Sequence, residues 1–212
     1  MSPHSPTASD RPDLRERRRR ELVRTIAAAA VELFEKNGFQ ATTIDDIAEA
    51  AGISRTTFFR HCATKEAAVL VDDAGMEGEL ITAAAQAAPR HALRDLESAW
   101  ERIAAVFDED HQGRDRFLRV RRLMQQHPAL HAAGLERDAV LTARIAEALR
   151  DGPGLNGLDA HAVAESFSLG MRLTFDHWVG AVDDAPDVPH PLTDIYSQAR
   201  AALRRAMQTR TP

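Results

Sequence analysis

Residues 42–66 read TTIDDIAEAAGISRTTFFRHCATKE, and the spacing of apolar and turn-forming positions in this stretch decides the fold. Ile44, Ile47, Ala48 and Ala51 recur at the i, i+3, i+4, i+7 positions of a short amphipathic helix. Thr43 stands just before it, where a side-chain oxygen can cap the first free amides. Gly52 follows the small Ala48 by four residues. Glycine takes a left-handed backbone without steric cost and alanine lets two helices cross closely, so a tight turn between helices is expected there. A second helix then begins at Ser54. Its opening residues Arg55, Thr56 and Thr57 carry hydrogen-bonding side chains at the end that a helix-turn-helix directs into a major groove.

The segment resembles the DNA-binding domain of the tetracycline-repressor (TetR) family of bacterial regulators. The resemblance rests on a first amphipathic helix ending in Leu33 and Phe34, a turn at Gly38 and Phe39, then Thr42-Thr43, Ile47-Ala48, Ala51-Gly52, Ile53-Ser54 and Lys65-Glu66. It covers roughly the first 70 residues. Two positions depart from the family pattern. Phe59 stands where a tyrosine usually offers its hydroxyl to a DNA phosphate, and Cys62 stands where a larger aromatic is usual. The resemblance implies an all-α protein, with an N-terminal three-helix helix-turn-helix domain followed by a helical ligand-binding and dimerisation domain. The DNA contacts expected on this basis are Arg18, Thr42, Thr43, Ser54, Arg55, Thr56, Thr57, Phe59, Arg60, His61 and Lys65. Lys65 follows Thr64, a candidate N-cap, so a phosphate there would meet both an ammonium and free helix-terminal amides.

Composition agrees with an all-helical chain. Aromatic residues make up 5% of the 212 residues, alanine dominates long stretches, and no run alternates with period two. The net charge of −5 is unevenly spread: residues 1–66 hold 11 Lys and Arg against 10 Asp and Glu, whereas residues 67–212 hold 16 against 22. Arg11, Arg15, Arg17, Arg18, Arg19, Arg20 and Arg24 crowd the start of the chain, a cluster that attracts phosphates without regard to sequence. Residues 1–14, with a Ser, Pro and Thr-rich beginning, are expected to form a disordered arm. Residues 15–66 are expected to form the DNA-binding domain and residues 67–212 the body. Leu22, Ile26, Ala30, Leu33 and Phe34 form one stripe, which marks a core helix and not a signal segment. No transmembrane run is present, and the single Cys62 excludes an internal disulfide framework, so a cytoplasmic setting is expected.

Beyond Glu66 the pattern predicts a long helix from Lys65 to about Gln86. Further helices are predicted over 91–108, 114–126, 129–150, 159–182 and 192–208, separated at Pro128, at Gly152-Pro153-Gly154 and at Pro186, Pro189 and Pro191. Leu192, Ile195, Ala199, Leu203 and Met207 form a stripe on the last helix. The helix before it carries Val163, Phe167, Met171 and Trp178 along one line and Leu169 and Leu173 off it, as a helix does that packs both inward and against a partner. Trp178, Ile195, Ala199, Leu203 and Met207 are therefore candidate homodimer contacts. Trp100, Phe107, Phe117, Met124, Phe167, Met171 and Phe175 are candidates to line a pocket for a small-molecule effector. Arg121, His127, Arg172, Asp176 and His177 could orient a polar group near them. The arginines between 114 and 122 are expected on a solvated face.

These observations point to a homodimeric regulator that binds a double-stranded DNA operator and responds to an effector, with no cofactor, membrane association or catalysis. A small-molecule binding protein with a vestigial helix-turn-helix is the alternative, supported by Phe59. A metal-dependent hydrolase built on His127 and His131 is disfavoured, because Pro128 lies between them and no third ligand stands at a recognised spacing. No Gly-rich phosphate loop, nucleophile elbow or paired-carboxylate motif is present.

Overall fold

The computed structural model describes residues 10–71 and 75–208, with side chains described from Leu14 onward. Among the described residues ten helices run in order: α1 (Asp10–Asn37), α2 (Ile44–Ala50), α3 (Arg55–His61), α4 (Lys65–Val69), α5 (Met76–Gln86), α6 (Ala92–Glu109), α7 (His111–Gln126), α8 (Pro128–Asp151), α9 (Gly157–Asp184) and α10 (Leu192–Gln208). No strand occurs among the described residues.

The first four helices pack around α1, which buries Val23, Ile26, Ala27, Ala30, Val31 and Phe34 on one side. Phe39, Ile47, Ala48, Phe58, Cys62, Ala68 and Val69 complete this head core from the other elements. Thr43 caps α2 through a capping box: its side chain accepts the Asp46 amide while the Asp46 carboxylate accepts from the Thr43 backbone. At the end of α2, Gly52 adopts φ +66 and the Ile53 amide reaches back to the Ala48 carbonyl at 2.9 Å, closing the helix with a left-handed turn. The burial of Cys62 in this core raises its thiol to about 11.

Two expected boundaries move. Helix α1 reaches back to Asp10, inside the expected arm of residues 1–14; the remainder of that arm, residues 1–9, lies outside the described residues. The single helix expected from Lys65 to Gln86 is two helices. Helix α4 stops at Val69, Leu70 leaves helical geometry at ψ +32, and α5 begins after Gly75, whose φ of +81 interrupts the repeat. Gly75 holds the N-cap position of α5 with a left-handed backbone, which glycine adopts without steric cost. Helix α4 also contributes Ala68 and Val69 to the head core, beyond the expected boundary at residue 66.

Most of the remaining breaks fall where proline and glycine placed them, and the break between α6 and α7 is made by Asp110, which caps α7. Pro128 occupies the first turn of α8, where its missing amide has no partner to lose. Gly152 lies so close to α5 that an added Cβ would stand 2.0 Å from the Ala85 carbonyl oxygen. Helices α5 to α10 enclose a second core centred on Leu80, Leu96, Trp100, Leu149, Phe167, Trp178 and Tyr196. Helix α7 belongs to both cores. Phe117 and Leu118 pack on the body, whereas Val120, Leu123 and Met124 pack in the head with Leu130 at the start of α8.

Candidate nucleic-acid interface

Helix α3 is anchored by one residue and displayed by its neighbours. Phe58 is fully buried in the head core, which turns Arg55, Thr56, Phe59 and Arg60 outward on the opposite face. Ser54 caps the helix, its Oγ accepting the Thr57 amide at 3.1 Å and sharing a 2.9 Å hydrogen bond with the Thr57 hydroxyl. Phe59 is 46% exposed and meets the Phe58 ring edge-on at 5.7 Å. The Arg55 guanidinium lies over the Phe59 ring, 5.4 Å from its centroid. Arg55 also crosses to the start of α2, where its Nη1 donates to both Asp45 carboxylate oxygens at 2.7 Å.

The expected DNA contacts therefore divide. Arg18, Thr43, Ser54, Arg55, Thr56, Phe59 and Arg60 are exposed and His61 and Thr57 half-buried, and those of α3 and its cap form a polar face at the start of that helix. Thr42 and Lys65 are placed elsewhere. Thr42 is 2% exposed and its hydroxyl donates to the Gly38 carbonyl at 2.9 Å, closing the turn after α1. The Lys65 ammonium donates to the carbonyls of Phe39 (2.6 Å) and Thr42 (3.1 Å) and lies 4.2 Å from the Phe39 ring centroid. It ties α4 to the turn between α1 and α2 and does not stand ready for a phosphate at the start of α4. Asp45 was not singled out by the sequence. Its pairing with Arg55 links the start of α2 to the start of α3, and no periodic pattern signals it.

The arginine cluster on α1 is partly neutralised from within. Arg19 and Arg20 both donate to Glu16, and these bonds hold its carboxyl at about 2. Asp46 lies below the usual carboxylate range because the Thr43 backbone amide and hydroxyl both donate to it.

In the body, the expected pocket residues are packed against one another. Phe107, Phe117, Phe175 and Trp178 form a set of edge-on and tilted ring contacts, with centroids 4.8 to 6.2 Å apart. Trp100 joins this set through Phe175 at 5.6 Å and reaches Tyr196 at 5.9 Å. Phe167 and Met171 belong to the same core, while Met124 belongs to the head core. An open cleft of about 400 Å³ between the start of α6, α9 and α10 and a second of about 470 Å³ beside Arg20 and Arg102 are lined by none of these seven residues. Among the described residues the Trp100 indole Nε1 is buried without an acceptor. Among the described residues no cluster of His, Cys, Asp and Glu is arranged to hold a metal ion. No helix among them is long and apolar enough to cross a membrane.

Of the expected dimer residues, Trp178 and Ile195 are inside the subunit. Trp178 is 1% exposed and its indole donates to the His190 carbonyl at 3.0 Å, because the segment between α9 and α10 folds back across it. Ala199 and Leu203 are half-buried and Met207 is exposed. Leu169 and Leu173 on the outer face of α9 are 39% and 38% exposed.

A capped helix, a glycine turn and a second helix with a polar outward face define a helix-turn-helix DNA-binding head on a helical body. Comparison with known proteins agrees. The family model described as "Bacterial regulatory proteins, tetR family" matches residues 26–70. MftR of Mycobacterium tuberculosis, named for the regulation of mycofactocin biosynthesis, is 31% identical over 195 residues, covering 91% of this chain and 96% of its own. The HTH-type transcriptional regulator TcmR of Streptomyces glaucescens is 31% identical over 162 residues, covering 73% of this chain and 71% of its own. The HTH-type transcriptional regulator EthR of Mycobacterium tuberculosis is 30% identical over 197 residues, covering 85% and 89%. The chain belongs to the TetR family of bacterial transcriptional regulators.

Proposed function

We propose that this regulator is a homodimeric, effector-responsive repressor that binds a palindromic operator in the cytoplasm and has no catalytic activity. The observation that carries the reading is the outward face of α3, where Arg55, Thr56, Phe59 and Arg60 stand exposed opposite the buried Phe58. A helix so presented fits a major groove, and two copies related by a two-fold axis read half-sites one helical turn apart, about 34–36 Å. The outer face of α9, with Leu169 and Leu173 exposed, and the end of α10, with Met207 exposed, are the surfaces we assign to the partner subunit.

The effector site we assign to the aromatic region around Trp100, Phe117 and Phe175, opened by displacement of the rings that pack on one another there. The unpaired Trp100 N–H supports this reading: a buried donor without an acceptor costs free energy that an effector oxygen or nitrogen would recover. Because Phe117 packs in the body and Val120, Leu123 and Met124 pack in the head, movement of α7 on effector binding would change the angle of the head. An effector that favours one body conformation thereby weakens operator binding, and operator weakens effector binding by the same factor.

The test is selection from a pool of random duplexes at near-physiological salt, with the recovered sites sequenced. Recovery of one palindrome with tight, site-specific binding is the expected result. Salt-sensitive, sequence-indifferent binding alone would overturn the operator reading.

A further inference from the structure

Asp45 is an acidic group on the face of the head that carries the exposed residues of α3, and an acid there repels phosphates. Helix formation does not require it, because Thr43 and Asp46 already complete the capping box at the start of α2. Both carboxylate oxygens of Asp45 lie 2.7 Å from Arg55 Nη1, and the two side chains are 65% and 59% exposed. An isolated exposed ion pair holds its partners loosely, since two long side chains lose rotamer freedom for a modest attraction. This pair is not isolated, because the guanidinium also rests on the half-exposed Phe59 ring, 5.4 Å from its centroid. Arg55 is thus held from two directions by two different helices, with Nη1 engaged by the carboxylate.

We propose that Asp45 is a positioning residue for base recognition: it fixes the Arg55 guanidinium against Phe59 so that the planar fork meets guanine in one orientation. The inference rests on the proposed reading of α3 as the groove-entering helix. An arginine reads guanine through two donors aimed at O6 and N7, and a guanidinium already oriented loses less freedom in making both bonds. Asp45 therefore sharpens the choice of base while lowering attraction for DNA in general, two effects of opposite sign from one carboxylate. Phe59, which has no hydroxyl, serves as the flat support in this arrangement.

The experiment compares the full-length protein with Arg55→Ala, Asp45→Asn and Asp45→Ala in selections from one random-duplex pool, followed by titration of a scrambled duplex. Thermal unfolding of each variant monitors folding, which the exposure of Asp45 should leave intact. Arg55→Ala first identifies the base pair whose preference depends on that arginine. If it changes no preference, the groove-entering reading of Arg55 fails, and the role given to Asp45 fails with it. If it does identify a base pair, both Asp45 variants are expected to lose discrimination there on the order of tenfold, while binding the scrambled duplex several-fold more tightly. Three outcomes overturn the positioning role of Asp45 while leaving Arg55 as a reader. They are a uniform gain in affinity with discrimination kept, which makes Asp45 only a brake; a change of preference at a different base pair, which makes Asp45 a reader itself; and equal loss on all duplexes with a lowered unfolding temperature, which makes the pair a fold tether.

Discussion

Lys65 carries its ammonium against two carbonyl oxygens at the end of the turn after α1, a use of charge that stabilises the head. Replacing it by methionine leaves the apolar stem but strands the carbonyls of Phe39 and Thr42, and hydrogen bonds to charged groups contribute roughly 1.5–3 kcal/mol each in favourable settings. The expected outcome is a loss of about 1–2 kcal/mol in urea unfolding after allowance for partial exposure, with the salt dependence of binding to a scrambled duplex unchanged. A phosphate contact would instead reduce that salt slope. Thr43→Ala is expected to cost about 1 kcal/mol, the usual loss for removing an N-cap, in the same measurement. Asp138 gives a pH signature. Burial raises its carboxyl above the ordinary 3.8, against the opposing pull of Arg121, Arg172 and Arg137, with Asp176 adding to the rise. A folded value above the unfolded one means stability that is present at acid pH and lost as pH climbs through the raised value. Asp138→Asn should therefore gain on the wild type as the pH goes from acid to neutral in paired denaturation curves, and a constant difference would contradict the assignment. The sequence placed most of the outward face of α3 correctly because helical spacing and caps are local. It did not show that Lys65 is engaged by the Phe39 carbonyl 26 residues away, that the Thr42 hydroxyl turns back to close its own turn at Gly38, or that Asp45 meets Arg55 across the turn between α2 and α3.

At the scale of elements, α7 departs furthest from expectation. Its arginines, expected on a solvated face, bind it to other helices: Arg114 to Asp108 and the His190 carbonyl, Arg119 to Glu35 of α1, Arg121 to Asp176 and Arg122 to Asp183 of α9. Composition shows the density of charge but not the carboxylates that face it, which lie on other helices and, for Arg119, Arg121 and Arg122, far away in sequence. The ends of α7 to α10 at Pro128, at Gly152-Pro153-Gly154 and at Pro186, Pro189 and Pro191 were legible because proline and glycine mark those breaks, whereas the break between α6 and α7 is the single residue Asp110. The break between α4 and α5 was not legible, because α4 ends at Val69 among apolar residues with no proline or glycine beside it. Leu123, 4% exposed on α7, packs in the head core while its helix also packs in the body. Leu123→Ala should cost about 2–5 kcal/mol, as for other buried leucines. Amide hydrogen exchange should then quicken in α1 and in the body together, whereas quickening confined to α1 through α4 would show that the two cores open independently.

For the molecule as a whole, the outer face of α9 bears on assembly. Leu169→Arg combined with Leu173→Arg introduces like charges on the surface assigned to the partner. Sedimentation should then show a shift from dimer to monomer, and affinity for the selected palindrome should fall much further than affinity for a scrambled duplex. A dimer that survives both changes would place the partner on another surface. The all-helical architecture was readable from composition and spacing, and the two-part plan was implied by the family resemblance. The contents of the body interior were not, since large side chains that could line a cavity and large side chains that fill one have the same pattern, and here the rings of Phe107, Phe117, Phe175 and Trp178 close on one another.

The shared use of α7 also limits how the protein can be taken apart and recombined. Val120, Leu123, Met124 and Leu130 complete the head from far along the chain, and the Phe39 ring faces His127 at 5.4 Å. A hybrid regulator joined after residue 71, with a relative's reader on this body, would set a foreign surface against those four side chains. Designers of such hybrids should graft the reader together with the α7–α8 corner it rests on, treating the two pieces as one cartridge although some 50 residues of sequence separate them.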